Sequence, residues 1–81
     1  MTQFIIRADQ RATKHFKSLP QVYVILVDRF GDIEGWVEFT DDIALARKFT
    51  REEAELLVKN VRGACHKGHA VENLTIQEVM Q

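Results

Sequence analysis

Val22-Tyr23-Val24-Ile25-Leu26-Val27 is a run of six apolar residues, all but Leu26 β-branched or aromatic. Such side chains are stiff and fit a pleated surface, so the run reads as a strand buried on both faces. Gly31-Asp32 follows as a two-residue turn with glycine first, the chemistry of a type II′ hairpin. This predicts strands over residues 21–30 and 33–40. Phe30 would face Ile33, Arg29 would face Glu34, Val27 Trp36, Leu26 Val37 and Val24 Phe39. The Arg29–Glu34 match sets opposite charges across the ladder.

That register sorts the hairpin into two faces. One carries Val22, Val24, Leu26, Phe30, Ile33, Val37 and Phe39, with Asp28 as its charge, and should face the core. The other carries Tyr23, Ile25, Val27, Arg29, Glu34, Trp36 and Glu38, which mixes large apolar groups with charges.

Outward from the hairpin, Phe4-Ile5-Ile6 reads as a first strand. Residues 8–20 are mostly polar and end in Pro20; Ala12–Lys17 could be a helical turn or an irregular loop. A short helical turn is expected over Asp41–Arg47, capped by Thr40 or Asp41. Thr50-Arg51-Glu52-Glu53 is a capping box, and Ala54, Leu57, Val58, Val61 and Cys65 recur on one face of the helix it starts. That helix should stop near Gly63 or Gly68, and Leu74–Val79 should close the chain as a last strand. The expected fold is α+β, a three- or four-stranded antiparallel sheet with one main helix on one face, in the order β-β-β-α-β.

Eighty-one residues make a single domain, 1–81, with a thin core. One cysteine, Cys65, allows no internal disulfide and fits a reducing compartment. Nothing approaches a secretory signal or the ~20 apolar residues of a membrane span, so a soluble cytoplasmic protein is expected. The net charge of −1 is unevenly spread. Residues 7–17 hold four cations against one carboxylate, and residues 28–42 hold six carboxylates against one cation. Either these are two solvated faces, or the acidic and basic poles orient a partner.

The plan from Tyr23 to Val61 is an aliphatic strand, a Trp-bearing strand, Thr40-Asp41-Asp42, then Ala46-Arg47-Lys48-Phe49-Thr50-Arg51-Glu52-Glu53-Ala54. It resembles small proteins of bacteriophages and prophages in which A-x-x-F-T-x-E-E-A sits between a hairpin and a helix. The resemblance covers about half the chain. It implies a phage origin and action in the host cytoplasm. Some such proteins inhibit host defence, anti-CRISPR proteins among them. The same residues also have structural reasons: Phe49 as a hydrophobic staple before the Thr50 cap, Ala46 as a small residue where segments pack.

Cys65-His66-x-x-His69 offers short-spaced metal ligands, but the remaining histidine is His15 and a zinc site needs four ligands. A Cys65–His69 nucleophile–base pair would need a third orienting group. The carboxylates Asp28, Asp32, Glu34 and Glu38 read as solvated charge sooner than as acid–base catalysts. The glycines fit no phosphate-binding loop, and no cofactor is expected. The feature that points to function is the second sheet face. Tyr23, Ile25, Val27 and Trp36, flanked by Arg29, Asp32, Glu34 and Glu38, form an apolar and acidic surface suited to a protein target or a second copy of the chain, unless residues 8–20 fold back over it. The expected function is a non-enzymatic protein-binding module of phage type, an inhibitor of a host defence system or another host protein, and self-associating. The alternative is a nucleic-acid binder using Arg7, Arg11, Lys14 and Lys17, with His15.

Overall fold

A computed structural model describes residues 2–28, 36–61 and 63–79. Five strands form one antiparallel sheet. They are β1 (Gln3–Gln10), β2 (Val22–Asp28), β3 (Trp36–Thr40), β4 (Cys65–His66) and β5 (His69–Val79). A 3₁₀ turn (Ile43–Leu45) and one helix, α1 (Arg51–Asn60), lie between β3 and β4. The spatial order is β3-β2-β1-β5-β4. The sheet curls until its edge strands β3 and β4 come into contact, most of the way to a barrel. The expectation of three or four strands under one main helix is therefore overturned: the chain is β-rich, and its helix is a 10-residue plug.

The difference lies at the C-terminal end, where a longer helix and a short last strand were expected. Asn60 ends α1, and Gly63 takes φ +62°. Lys67 (φ 50°) and Gly68 (φ 82°) then form a two-residue turn with both central residues left-handed, as a type I′ hairpin requires. Cys65 pairs with Ala70 and His66 with His69 across it. Cys65, expected on the helix face, is exposed on a strand.

The core fills the inside of the curl. Phe4, Ile6, Ala8, Val22, Val24, Phe39, Phe49, Ala54, Leu57 and Val71 form one cluster. Ile6, Val22 and Val24 are fully enclosed, each contributing about 1.5–3 kcal/mol of burial. The helix α1 lies against β1 and β5 and contributes Ala54 and Leu57. Its start is fixed by the capping box. The Thr50 hydroxyl accepts from the Glu53 amide at 3.1 Å, and the Thr50 amide donates to Glu53 Oε1 at 2.9 Å.

One segment does work that its sequence conceals. Strands β1 and β2 pair only at Arg7–Tyr23 and Ala8–Val22. Beyond that point they separate, and residues 47–49 bridge them. The Phe49 amide donates to the Phe4 carbonyl at 2.7 Å and the Phe4 amide to the Phe49 carbonyl at 2.9 Å. On the other side the Arg47 amide donates to the Val24 carbonyl at 2.9 Å. The strap thus satisfies backbone groups on both strands that would otherwise be left unpaired in the fold interior. Its Phe49 ring enters the core. The Arg47 guanidinium lies 5.3 Å from the centre of that ring, and Arg51 lies 4.8 Å from the centre of Phe4.

The hairpin register holds at Val24–Phe39 and then shifts. Leu26 pairs with Glu38, Val27 with Val37 and Asp28 with Trp36. An extra residue, Ile25, is accommodated in β2 as a bulge, which exchanges inside and outside along the rest of the strand. Val27 and Val37 pack on the core, while Leu26 is 46% exposed. The expected pairs Val27–Trp36 and Leu26–Val37, and the placing of Leu26 inside and Val27 outside, are corrected accordingly. So is the reading of β2 as buried on both faces. Phe30–Ile33, Arg29–Glu34 and the Gly31-Asp32 turn lie outside the described residues.

Candidate protein-binding surface

Cross-strand partners share a face, so Leu26 with Glu38 and Asp28 with Trp36 place all four side chains on the outside of the curl. Trp36 is 50% exposed. The 3₁₀ turn adds Ile43 and Leu45, both more than half exposed. Asp42 fixes that turn, since its carboxylate accepts from the Ala44 amide at 3.0 Å; Asp42, and not Thr40 or Asp41, is the cap. Thr40 instead accepts from the Asp42 amide at 3.1 Å. Among the described residues six large hydrophobic side chains are exposed, and four of them, Leu26, Trp36, Ile43 and Leu45, come from β2, β3 and this turn. Tyr23 and Ile25 lie half-buried beside them.

The 3₁₀ turn lies against β2. Its Ile43 also borders a shallow hollow of about 220 Å³, lined with Ile5, Lys48, Gln77, Glu78 and Val79. Ile5 is buried at its base, away from the main core cluster. The outer face therefore combines exposed apolar side chains with a small concavity, a form suited to taking an anchoring side chain.

Of the residues expected to bind protein, Tyr23, Ile25, Trp36 and Glu38 fall on or beside this surface; Arg29, Asp32 and Glu34 lie outside the described residues. Leu26, Ile43 and Leu45 were missed. The bulge that turns Leu26 outward leaves no mark in an unbroken apolar run. Ile43 and Leu45 did carry a signal: two apolar residues in a turn too short to bury them.

The loop 11–21 does not fold over this surface. Residues 11–18 are exposed, and Phe16 packs edge-on against His69, ring centres 5.1 Å apart, at the β4–β5 hairpin. The loop forms no helical turn at 12–17; the Thr13 amide donates to the Phe16 carbonyl at 2.9 Å.

The basic segment is divided. Arg7 is half-buried in β1 and donates to Gln77 Oε1 at 3.4 Å. Arg11 forms an ion pair with Glu72 at 2.6 Å. Lys14, His15 and Lys17 are exposed in the loop. Between the two arginines stands Asp9, which accepts from Gln21 Nε2 at 3.1 Å and Asn73 Nδ2 at 3.2 Å. Asn73 sits in the left-handed region (φ 57°) where the β1–β5 register shifts, so this carboxylate also ties down the irregularity.

The Gln21 and Asn73 hydrogen bonds, helped by the nearby Arg7 charge, hold the Asp9 pKa below its ordinary 3.8. A lowered folded-state value stabilises the fold above the unfolded-state pKa, and that stabilisation is lost as pH falls through the folded one. Asp9→Asn is expected to flatten the acid limb of the stability profile below about pH 4. Urea unfolding midpoints across the acid range check this; an unchanged acid limb would remove Asp9 as its source.

The Cys65, His66 and His69 cluster is not drawn together. Neighbouring strand residues point to opposite faces, so Cys65 and His66 turn apart, while His66 and His69 oppose each other across the hairpin. Among the described residues no group of three or more His, Cys, Asp or Glu side chains is arranged to hold a metal ion. No helix there is long and apolar enough to cross a membrane. No family model matches the chain, and neither a curated protein nor a solved structure matches it.

Proposed function

We propose that this chain is a non-enzymatic protein-binding module whose contact surface is the outer face of β2, β3 and the 3₁₀ turn. The observation that carries the reading is that Leu26, Trp36, Ile43 and Leu45, all exposed, lie on consecutive elements, with two other exposed large hydrophobic groups, Phe16 and Leu56, among the described residues. Large apolar side chains left exposed on one part of a small fold are unfavourable in water and mark interaction sites. Tryptophan is among the side chains that dominate binding energy when a partner desolvates it. The resemblance of residues 23–61 to small phage proteins supplies the setting: an inhibitor of a host defence system or of another host protein. The nucleic-acid reading is weaker, because Arg7 and Arg11 already engage Gln77 and Glu72.

The test is the double variant Leu26→Ser/Trp36→Ser. Neither side chain belongs to the core cluster, so the unfolding free energy should change by no more than about 1 kcal/mol. Host proteins captured specifically by the immobilised wild-type chain should be lost. Unfolding of the variant, or undiminished capture, would contradict the proposal.

A further inference from the structure

We infer that the occupant of this face is a basic protein surface, one that sets lysine and arginine side chains around an apolar centre, and not a second copy of the chain. The inference rests on the binding surface proposed above and names its partner's chemistry. Between Val22 and Ala46 the described residues include four carboxylates, Asp28, Glu38, Asp41 and Asp42, and no lysine or arginine; Lys48 stands at the far side of Ile43, in the hollow with Glu78. All four are exposed. They are interleaved with the apolar groups: Asp28 pairs across the ladder with Trp36, Glu38 pairs with Leu26, and Asp42 caps the turn that carries Ile43 and Leu45. A partner that covers these apolar groups must also strip water from the carboxylates beside them. That costs free energy unless opposite charges meet the carboxylates.

The same side chains argue against self-association. A two-fold dimer places one patch on its own copy, so the carboxylates of each subunit would be buried against a face that carries the same carboxylates. A head-to-tail contact with the basic segment would grow into an open filament unless it closed in a ring. It would also meet Arg7 and Arg11 already engaged by Gln77 and Glu72.

Two fluorescent synthetic peptides of equal length and identical valine and leucine content are the probes, one alternating these with lysine and the other with glutamate. The lysine peptide is expected to bind more tightly and to weaken as salt is raised. Asp28→Asn/Glu38→Gln should reduce its affinity about five-fold. Glu52→Gln/Glu55→Gln, which removes as much charge from the exposed side of α1, should leave it within about two-fold. Trp36→Ala should weaken it as well. Equal binding of both peptides, lost with Trp36→Ala, would overturn the basic partner and leave the binding surface standing. Binding indifferent to Trp36→Ala, or absent for both peptides, would overturn both. A dimer by sedimentation that Trp36→Ala dissolves would make the second copy the occupant and overturn the inference.

Discussion

Phe49→Ala is expected to cost about 3–5 kcal/mol and to leave much of the chain unfolded at body temperature. A domain of this size has roughly 0.05–0.15 kcal/mol of stability per residue, so a loss of that size takes a large share of the whole. The ring is 2% exposed and sits in the main cluster with Phe4 and Ala54. Removing it leaves a cavity where β1, β2 and the start of α1 meet. It also removes the ring beneath Arg47 and the side chain that holds the strap between two separated strands. Lys48→Ala, on the exposed neighbour, should change stability by no more than about 0.5 kcal/mol. Urea unfolding followed by circular dichroism measures both. A Phe49→Ala loss below about 1 kcal/mol would show that residues 47–49 are an ordinary loop.

The second large effect separates two neighbours. Val27→Lys is expected to destabilise by about 3 kcal/mol, because it sets a charge against the core side of the sheet and removes apolar packing. Leu26→Lys is expected to be neutral, or to stabilise by roughly 0.5 kcal/mol through a cross-strand pair with Glu38. A bulge-free hairpin, with Leu26 inside and Val27 outside, predicts the reverse ranking. The pair of unfolding curves therefore reads the bulge at Ile25 directly. A more severe Leu26→Lys would restore the simple register and take Leu26 out of the binding surface.

These two sites also mark how far the chain could be read without coordinates. The capping box at Thr50 and the alternation that puts Val22, Val24 and Phe39 inside rest on local chemistry, and local chemistry is visible in a sequence. The Ile25 bulge is not, because an unbroken apolar run looks the same in either register. The strap was invisible for another reason. Its A-x-x-F-T residues satisfy the rules for entering a helix, and their pairing with Phe4 and Val24 depends on strands distant in sequence. The C-terminal hairpin was obscured because Lys67-Gly68 is a less familiar type I′ pair than Asn-Gly, and the flanking Cys65 falls at helical spacing from Val61. For the candidate site, Trp36, Glu38, Tyr23 and Ile25 were legible as a mixed face. Leu26 depended on the bulge, and Ile43 and Leu45 on where the turn comes to rest.

The account depends most on an outer face that is open and sets exposed apolar side chains beside carboxylates. The chain contains a single tryptophan, Trp36, so its fluorescence reports on that face alone among the tryptophan positions. Quenching by caesium cations and by iodide anions at equal concentration in low salt is the direct measurement. Carboxylates at Asp28 and Glu38 concentrate cations near the ring and repel anions. The account predicts water-exposed emission, stronger quenching by caesium than by iodide, and loss of that difference in Asp28→Asn/Glu38→Gln. Blue-shifted emission protected from both ions in the dilute free chain would place Trp36 inside and contradict it.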